Sequence, residues 1–237
     1  MMILGNALDI LPTLKAHSFD ALITDPPYAS GGQYRGDRAI APQAKYQQSG
    51  TTKRYAGGNF AGDGMDQRSW MRWCTEWLRA SLRCVRPGGY AMVFIDWRQL
   101  PAMTDAFQMA GWHWRGVIVW DKTESSRAPH KGYFRHQAEY IVWGTNGVCK
   151  AATHAGPFPG VYRHRVNHTE KLHITGKPIQ LMRDLVKCTP PGSKILDPFA
   201  GSGTTIRAAT AEGRRAVGIE LSDECFEVAR QAIKRAA

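Results

Sequence analysis

The order of apolar runs and of the glycine or proline breaks between them constrains this chain most. Short runs of strand character occur at Ile3-Leu4, Phe19 to Thr24, Tyr90 to Ile95, Trp112 to Trp120, Ala138 to Trp143, Ser193 to Leu196 and Arg215 to Ile219. Stretches of helical period lie between most of them. Leu8, Leu11 and Leu14 have helical spacing, with Pro12 placed for a first turn. From Asp66 to Val85, Trp70, Trp73, Cys74, Trp77, Leu78 and Leu82 recur three and four residues apart, and Pro87-Gly88-Gly89 marks a stop. That tryptophan stripe reads as core. Further helices are expected over Arg98–Ala110, over Pro178–Cys188, from the glycine turn near residue 203 to about Glu212, and from Ser222 onward with Phe226, Val228, Ala229 and Ile233 on the apolar side. Parallel strands need long crossovers, and helices are what usually fill them, so this alternation predicts an α/β protein on a largely parallel sheet. A chain of 237 residues suffices for one large domain. We read one domain over 1–237, with a basic insertion loop over 29–67 and a small, basic, irregular lobe over about 122–170.

Open sheets of this class gather ligands beyond the carboxyl ends of their strands. Two strand ends here carry unusual chemistry. Asp25-Pro26-Pro27-Tyr28 follows Ala21-Leu22-Ile23-Thr24. Asp25 can accept an amine hydrogen. The two prolines fix the turn and bring no N–H of their own, and Tyr28 offers a ring face. That set suits a planar ring bearing an exocyclic amine. A merely rigid turn is the bland alternative.

The second strand end is Asp197-Pro198-Phe199-Ala200-Gly201-Ser202-Gly203-Thr204-Thr205. Glycines between a strand and a helix let a ligand approach backbone amides at the helix start. The third glycine of the dinucleotide fingerprint is missing. The next strand ends in Glu220, about twenty residues on, where a carboxylate can grip two ribose hydroxyls. Together these point to an adenosine-type cofactor. A glycine turn with an unrelated surface glutamate is the competing reading.

Charge narrows the partner. The net charge is +11 at pH 7, a field that favours a polyanion. Nucleic acid leads, with an acidic membrane surface second. Residues 29–67 interleave Arg35, Arg38, Lys45, Lys53 and Arg54 with Tyr34, Tyr46 and Tyr55, a mixture suited to phosphates and bases. Between 121 and 177 nine Lys/Arg outnumber Asp121, Glu124, Glu139 and Glu170. Six of the eight histidines fall there too, yet His154, His164, His168 and His173 lack metal-ligand spacing, so no metal is expected. Five widely spaced cysteines (Cys74, Cys84, Cys149, Cys188, Cys225) form no Cys-x-x-Cys pair and read as small core residues of a reducing compartment. No run approaches the roughly 18 apolar residues of a membrane span, and the first residues carry neither a basic region nor a long apolar stretch, so neither a membrane anchor nor a signal peptide is expected.

These motifs carry a resemblance. Asp197 to Thr205 resembles the cofactor motif of the amino-DNA methyltransferases, and Asp25-Pro26-Pro27-Tyr28 their catalytic motif. His173-Ile174-Thr175-Gly176-Lys177-Pro178 is similar to the motif preceding their cofactor strand. The order, catalytic motif first, is that of the circularly permuted β-type subgroup. The resemblance implies a Rossmann-like, seven-stranded, mostly parallel sheet with one antiparallel strand and helices on both faces. It implies S-adenosylmethionine as methyl donor and double-stranded DNA as partner. It places Asp25, Pro26, Pro27 and Tyr28 at the reacting amine. It places Asp197, Phe199, Gly201, Ser202, Gly203 and Glu220 around the donor, with Asp25 touching it as well, Phe199 against adenine and Glu220 on the ribose. Thr204, Thr205 and Lys177 would hold the donor's carboxylate, and Asn6, in Gly5-Asn6-Ala7, stands where the family often has Asp. Asp25 in first position implies adenine N6 as target, with cytosine N4 the alternative. RNA or protein-amide methyltransferases typically carry Asn there and lack the permuted order. A non-enzymatic or decayed DNA-binding module would share the charge but has no need of the donor motif. A homodimer, and a cytoplasmic, nucleoid-associated protein of bacterial or phage origin, are also implied.

Overall fold

The computed structural model describes residues 1–29, 65–124, 130–149, 155–166 and 176–236. Residues 30–64 of the insertion, and the His173-Ile174-Thr175 part of the motif ending at Pro178, lie outside the described residues. So do Lys45, Tyr46, His154 and His168.

In chain order the elements are β1 (Met2–Leu4), α1 (Ala7–Ile10), a 3-10 turn (Leu11–Thr13), β2 (Phe19–Thr24), α2 (Gln67–Cys84), β3 (Val85–Ile95), α3 (Leu100–Met109), β4 (His113–Asp121) and β5 (Ala138–Thr145). They continue with β6 (Val161–Arg163), α4 (Ile179–Val186), β7 (Lys194–Asp197), α5 (Thr204–Ala211), β8 (Arg215–Glu220) and α6 (Asp223–Ala236). The strands form one sheet in the order β1-β8-β7-β2-β3-β5-β4-β6. Every pair is parallel except those of β5, which runs antiparallel to β3 and β4.

The sheet has eight strands where seven were expected. The eighth, β6, lies in the stretch read as irregular and pairs with β4 from Val119↔Val161 to Asp121↔Arg163. Three residues set among histidine, arginine and glycine are too few for a strand period to show. Contacts with β4 and α4 fix this edge instead. Trp120 Nε1 donates to the His164 carbonyl at 2.8 Å, Arg163 meets Asp121 at 3.3 Å, and His164 meets Asp184 at 2.9 Å.

Two other expectations shift locally. Leu8 to Leu14 is one apolar face but two elements, because α1 gives way to a 3-10 turn with Pro12 among its first residues. Pro87-Gly88-Gly89 does not separate helix from strand but lies inside β3. The register against β2 jumps there from Phe19↔Val85 to Ala21↔Tyr90, a bulge that absorbs the extra residues. A Cβ at Gly89 would stand 2.7 Å from the Asp20 carbonyl oxygen, so the close approach requires glycine.

Period-two alternation divides the core. Leu22, Val93, Val142 and Leu196 face α1 to α3, packing with Trp70, Trp77 and Phe107. Ala21, Ile23, Phe94, Ile141 and Ile195 face the other side, with Leu181, Leu185, Ile206 and Ile233 of α4 to α6. Burying each such aliphatic or aromatic side chain stabilises by about 1.5–3 kcal/mol. Of the tryptophan stripe, Trp70 and Trp77 are fully buried, as a core reading requires, whereas Trp73 is only half-buried.

This order positions the site. β2 and β7 are neighbours at the centre, and the chain leaves them in opposite directions, toward β3 and toward β8. Their carboxyl ends flank the crevice where sheets of this class bind ligands. The antiparallel β5 brings its amino end to the same edge.

Candidate active site

Asp25 and Asp197 end up at adjacent strand ends, though 172 residues separate them in sequence (197 minus 25). β2 and β7 pair in register at Ala21↔Ile195 and Leu22↔Leu196. Beyond that register Thr24 Oγ1 donates to Asp197 Oδ1 at 2.6 Å, tying the two turns together. Asp197 Oδ1 also accepts from the Phe199 amide at 3.1 Å. Burial pushes the Asp197 carboxyl up to about 6, against hydrogen bonds from Thr205, Thr24 and the Phe199 amide that favour its charged form.

The first turn carries a network of charged side chains. Lys177 Nζ lies 2.7 Å from Asp25 Oδ2 and 3.0 Å from Glu139 Oε1. The Tyr28 hydroxyl is 2.5 Å from Asp25 Oδ1 and 2.8 Å from the same Glu139 Oε1. Lys122 Nζ approaches Glu139 Oε2 at 3.5 Å. Two carboxylates and two ammonium groups thus balance in a largely buried site, the arrangement that makes buried charge tolerable. Burial raises the Asp25 carboxyl above its ordinary range despite Lys177. Burial pushes Glu139 the same way, but Lys177 and Lys122 outweigh it and hold that carboxyl below its ordinary value. Burial opposes the charge on Lys177, and the two carboxylates overcome it and raise its pKa. Tyr28 is pushed well above 10 by burial and by the neighbouring carboxylates.

The backbone of this turn is held from α2. Trp70 Nε1 donates to the Pro27 carbonyl at 2.8 Å. Ala29, fully buried, has φ +49°, a left-handed conformation that a non-glycine residue keeps only where its surroundings enforce it.

The second turn is built from backbone and one ring. Gly201 N donates to Glu220 Oε2 and Ser222 N to Glu220 Oε1, each at 2.8 Å. Each carboxylate oxygen keeps a further lone pair for a ligand hydroxyl. Burial raises the Glu220 carboxyl against these amides. Gly203 caps α5 with φ +78°, and a Cβ there would meet Ala229 Cβ at 3.2 Å. Phe199, half-buried, packs against Trp73 at 5.2 Å and Trp77 at 5.0 Å between ring centroids. The Gly5 amide bonds the Glu220 carbonyl at 2.9 Å, which brings Asn6 to this end, where its Oδ1 caps α1 through Leu8 N. A glycine turn half-open at Gly201, a carboxylate presented on two amides and a partly open aromatic ring together suit an adenosine-bearing ligand with a charged tail.

The structure therefore brings Asp25, Pro26, Pro27 and Tyr28 to one side and Asn6, Phe199, Gly201, Ser202, Gly203, Thr204 and Glu220 to the other. Three expected donor residues point elsewhere: the Asp197 carboxyl is buried and bonded to Thr24, Thr205 and the Phe199 amide. The Lys177 ammonium is engaged by Asp25 and Glu139, and Thr205 is buried and bonded to Asp197. Glu139 and Lys122 were not singled out from sequence as site residues, and Trp70 and Trp73 were read only as core. An acidic residue at the second position of an apolar strand, inside a basic stretch, was the signal for Glu139. Among the described residues no group of three or more His, Cys, Asp or Glu could hold a metal ion.

Comparison with known proteins fits this geometry. A family model for N6/N4 methyltransferases, described as DNA methylase, matches residues 19–231. The chain belongs to that family. This DNA methylase is 29% identical over 236 residues to YubD of Escherichia coli (strain K12), named as a candidate methylase, covering 98% of this chain and 90% of that one. Its fold matches that of M1.HpyAVI, solved as a complex with S-adenosylmethionine (SAM), with a TM-score of 0.68, 21% identity, and 98% of each chain covered. It also matches PvuII DNA methyltransferase, which is cytosine-N4-specific, with a TM-score of 0.71, 15% identity, and 99% of this chain and 90% of that one covered. This likeness establishes the Rossmann-like methyltransferase fold. Among the described residues no helix is long and apolar enough to cross a membrane.

Proposed function

We propose that this DNA methylase transfers a methyl group from S-adenosylmethionine to the exocyclic N6 of an adenine flipped out of duplex DNA. The observation that carries this reading is the Thr24–Asp197 hydrogen bond joining the two turns at neighbouring strand ends. A ring amine at Asp25 and a donor at Gly201–Gly203 would then share one crevice.

S-adenosylmethionine, when bound, supplies an electrophilic methyl on a sulfonium. Phe199 and Glu220 would hold its adenosine and Gly201 to Thr204 its methionine end. The residues around Asp25 address the other reactant. An adenine amine is a weak nucleophile because its lone pair is delocalised into the ring. Accepting its hydrogens at Asp25 and at the Pro26 carbonyl favours a pyramidal nitrogen with its lone pair aimed at the methyl. The rate gain is then positioning and electrostatics, with no covalent enzyme intermediate. Asp25 or water takes the proton released. A duplex hides this nitrogen, so the base must leave the stack, and Tyr28 offers the ring face to receive it.

Support for DNA contact comes from the loop between β4 and β5, which leaves the sheet at the active-site edge. Tyr133 is 74% and Phe134 94% exposed there, among His130, Lys131, Arg135 and His136. His136 stacks on Trp97, itself beneath Arg98. Exposed rings among cations suit bases and phosphates. Asp25 is the support for adenine over cytosine.

Incubation with methyl-labelled donor and, separately, duplex DNA, RNA and protein tests the reading. Label should enter DNA alone, and Asp25→Ala should abolish it while donor binding by calorimetry persists. Transfer by Asp25→Ala at the wild-type rate would remove the mechanism.

A further inference from the structure

The Tyr28 hydroxyl has one hydrogen and faces two acceptors. It lies 2.5 Å from Asp25 Oδ1 and 2.8 Å from Glu139 Oε1. It cannot donate fully to both. The other Asp25 oxygen already receives Lys177 at 2.7 Å. Each oxygen of the group expected to receive the target amine therefore already accepts one hydrogen bond before any base arrives. Glu139 reaches this point because β5 is antiparallel, so that its second residue sits beside the carboxyl ends of β3 and β4.

Building on the function proposed above, we infer that Glu139 is a positioning residue which takes the Tyr28 hydroxyl hydrogen when the target amine claims Asp25 Oδ1. In the free protein the hydroxyl occupies the amine's seat and keeps Asp25 hydrogen-bonded. When the amine enters, its N–H donates to Asp25 Oδ1 and the hydroxyl turns to Glu139 Oε1. No hydrogen bond is lost, and Tyr28 stays beside the incoming ring. Lys177 remains bridged between Asp25 Oδ2 and Glu139 Oε1 throughout, which keeps both carboxylates fixed. The groups facing this exchange are Asp25 and Tyr28 after β2, Glu139 on β5, Lys122 after β4, Lys177 before α4 and Asp197 at the end of β7.

Glu139→Gln and Glu139→Ala separate this role from simple charge. Lys177 and Tyr28 both donate to the Oε1 position, so a glutamine should turn its carbonyl there and its amide nitrogen toward Lys122. Glu139→Ala should slow single-turnover transfer to DNA by about 10-fold or more, the loss expected for a hydrogen bond between a neutral and a charged group. Affinity for S-adenosylmethionine should stay within about threefold, and Glu139→Gln should restore most of the rate. In a Tyr28→Phe background the alanine substitution should cost less than about threefold, because the hydroxyl it serves is gone. Equal impairment of the glutamine and alanine variants would overturn the inference, as would fully multiplicative effects of Tyr28→Phe and Glu139→Ala. A wild-type protein that labels no DNA would remove the proposed function instead. The exchange is then read without DNA, from the ζ-carbon NMR resonance of Tyr28, assigned by its loss in Tyr28→Phe. That resonance should move on both Asp25→Ala and Glu139→Ala. A resonance unmoved by Glu139→Ala, in variants whose thermal unfolding shows them folded, overturns it.

Discussion

The two strand ends at the centre of the sheet solve opposite problems. The end of β2 is made of side chains: Asp25, Tyr28, Glu139, Lys177 and Lys122 neutralise one another in a largely buried space. The end of β7 is made of backbone and one ring: Gly201 and Ser222 amides hold Glu220, and Phe199 leans on Trp73 and Trp77. Charge is assembled at the first end from four places in the chain. At the second, local sequence supplies the amides and the carboxylate, and α2 supplies the rings under Phe199. The first suits chemistry that depends on protonation and on fractions of an ångström, and the second suits tight holding of a constant ligand. Substitutions at the two ends should therefore fail in different ways.

The largest contrast is between Asp25→Ala and Phe199→Ala. Asp25→Ala should lower the rate of methyl transfer by about 100-fold or more with donor affinity within about threefold, as for loss of a positioned electrostatic group. Phe199→Ala should do the reverse, weakening donor binding by about 10-fold or more, as for loss of an aromatic stacking partner, with a smaller change in maximal rate. Calorimetry and single-turnover kinetics on the two variants read both quantities. A Phe199→Ala enzyme with unchanged donor affinity would erase the contrast.

Protonation sharpens it next. Asp25 acts ionised, and burial raises its pKa in the folded protein, so activity should fall on acidification at a pH above the ordinary carboxylate range. Lys177 opposes that rise. Lys177→Met should move the acid limb of the pH–rate profile upward, while the donor-binding profile stays put. An acid limb unmoved in Lys177→Met would show that Lys177 does not act through Asp25.

Stability gives a third and smaller effect. The folded-state pKa of Asp197 is raised to about 6, so this group's contribution to stability is full below its unfolded value and is lost as pH rises through about 6. Asn keeps an oxygen for Thr24 and the Phe199 amide without the buried charge. Asp197→Asn should therefore unfold at an equal or higher temperature at pH 8, a gain on the order of 1 kcal/mol, and the difference should shrink below about pH 4. Thermal melts across that range decide it, and a destabilised Asn variant at pH 8 would show that the carboxylate's charge is needed for the turn itself.

The least effect on chemistry belongs to the exposed loop. Phe134→Ala should weaken DNA binding by about 10-fold, without changing donor affinity, as for loss of one base-stacking contact. Fluorescence anisotropy with duplex DNA measures it, and unchanged DNA affinity would move the interface elsewhere.

Much of this was legible in the sequence, for identifiable reasons. The α/β class followed from helices of clear period between apolar runs, and the Trp70/Trp77 face of α2 was a stripe at spacings of three and four. The glycine turn and Glu220 were legible because their partners are local: Glu220 bonds Gly201 nineteen residues away and Ser222 two residues away. The network at Asp25 was not. Glu139 is 111 residues from Tyr28, and its place depends on β5 running antiparallel to β3, which no local pattern encodes. Lys177 was noticed through its motif and expected at the donor, yet its side chain reaches across to Asp25 and Glu139. The β6 strand was missed because its order comes from Trp120 and Asp121 on its neighbour, not from three residues of its own.

The most direct test is of the methylated product. Duplex DNA incubated with the protein and S-adenosylmethionine, then digested to nucleosides and separated by mass spectrometry, should contain N6-methyladenine, absent when Asp25→Ala replaces the wild type. N4-methylcytosine in its place would contradict the assignment of the target base, and the absence of both from DNA treated with a protein that binds the donor would contradict the account as a whole.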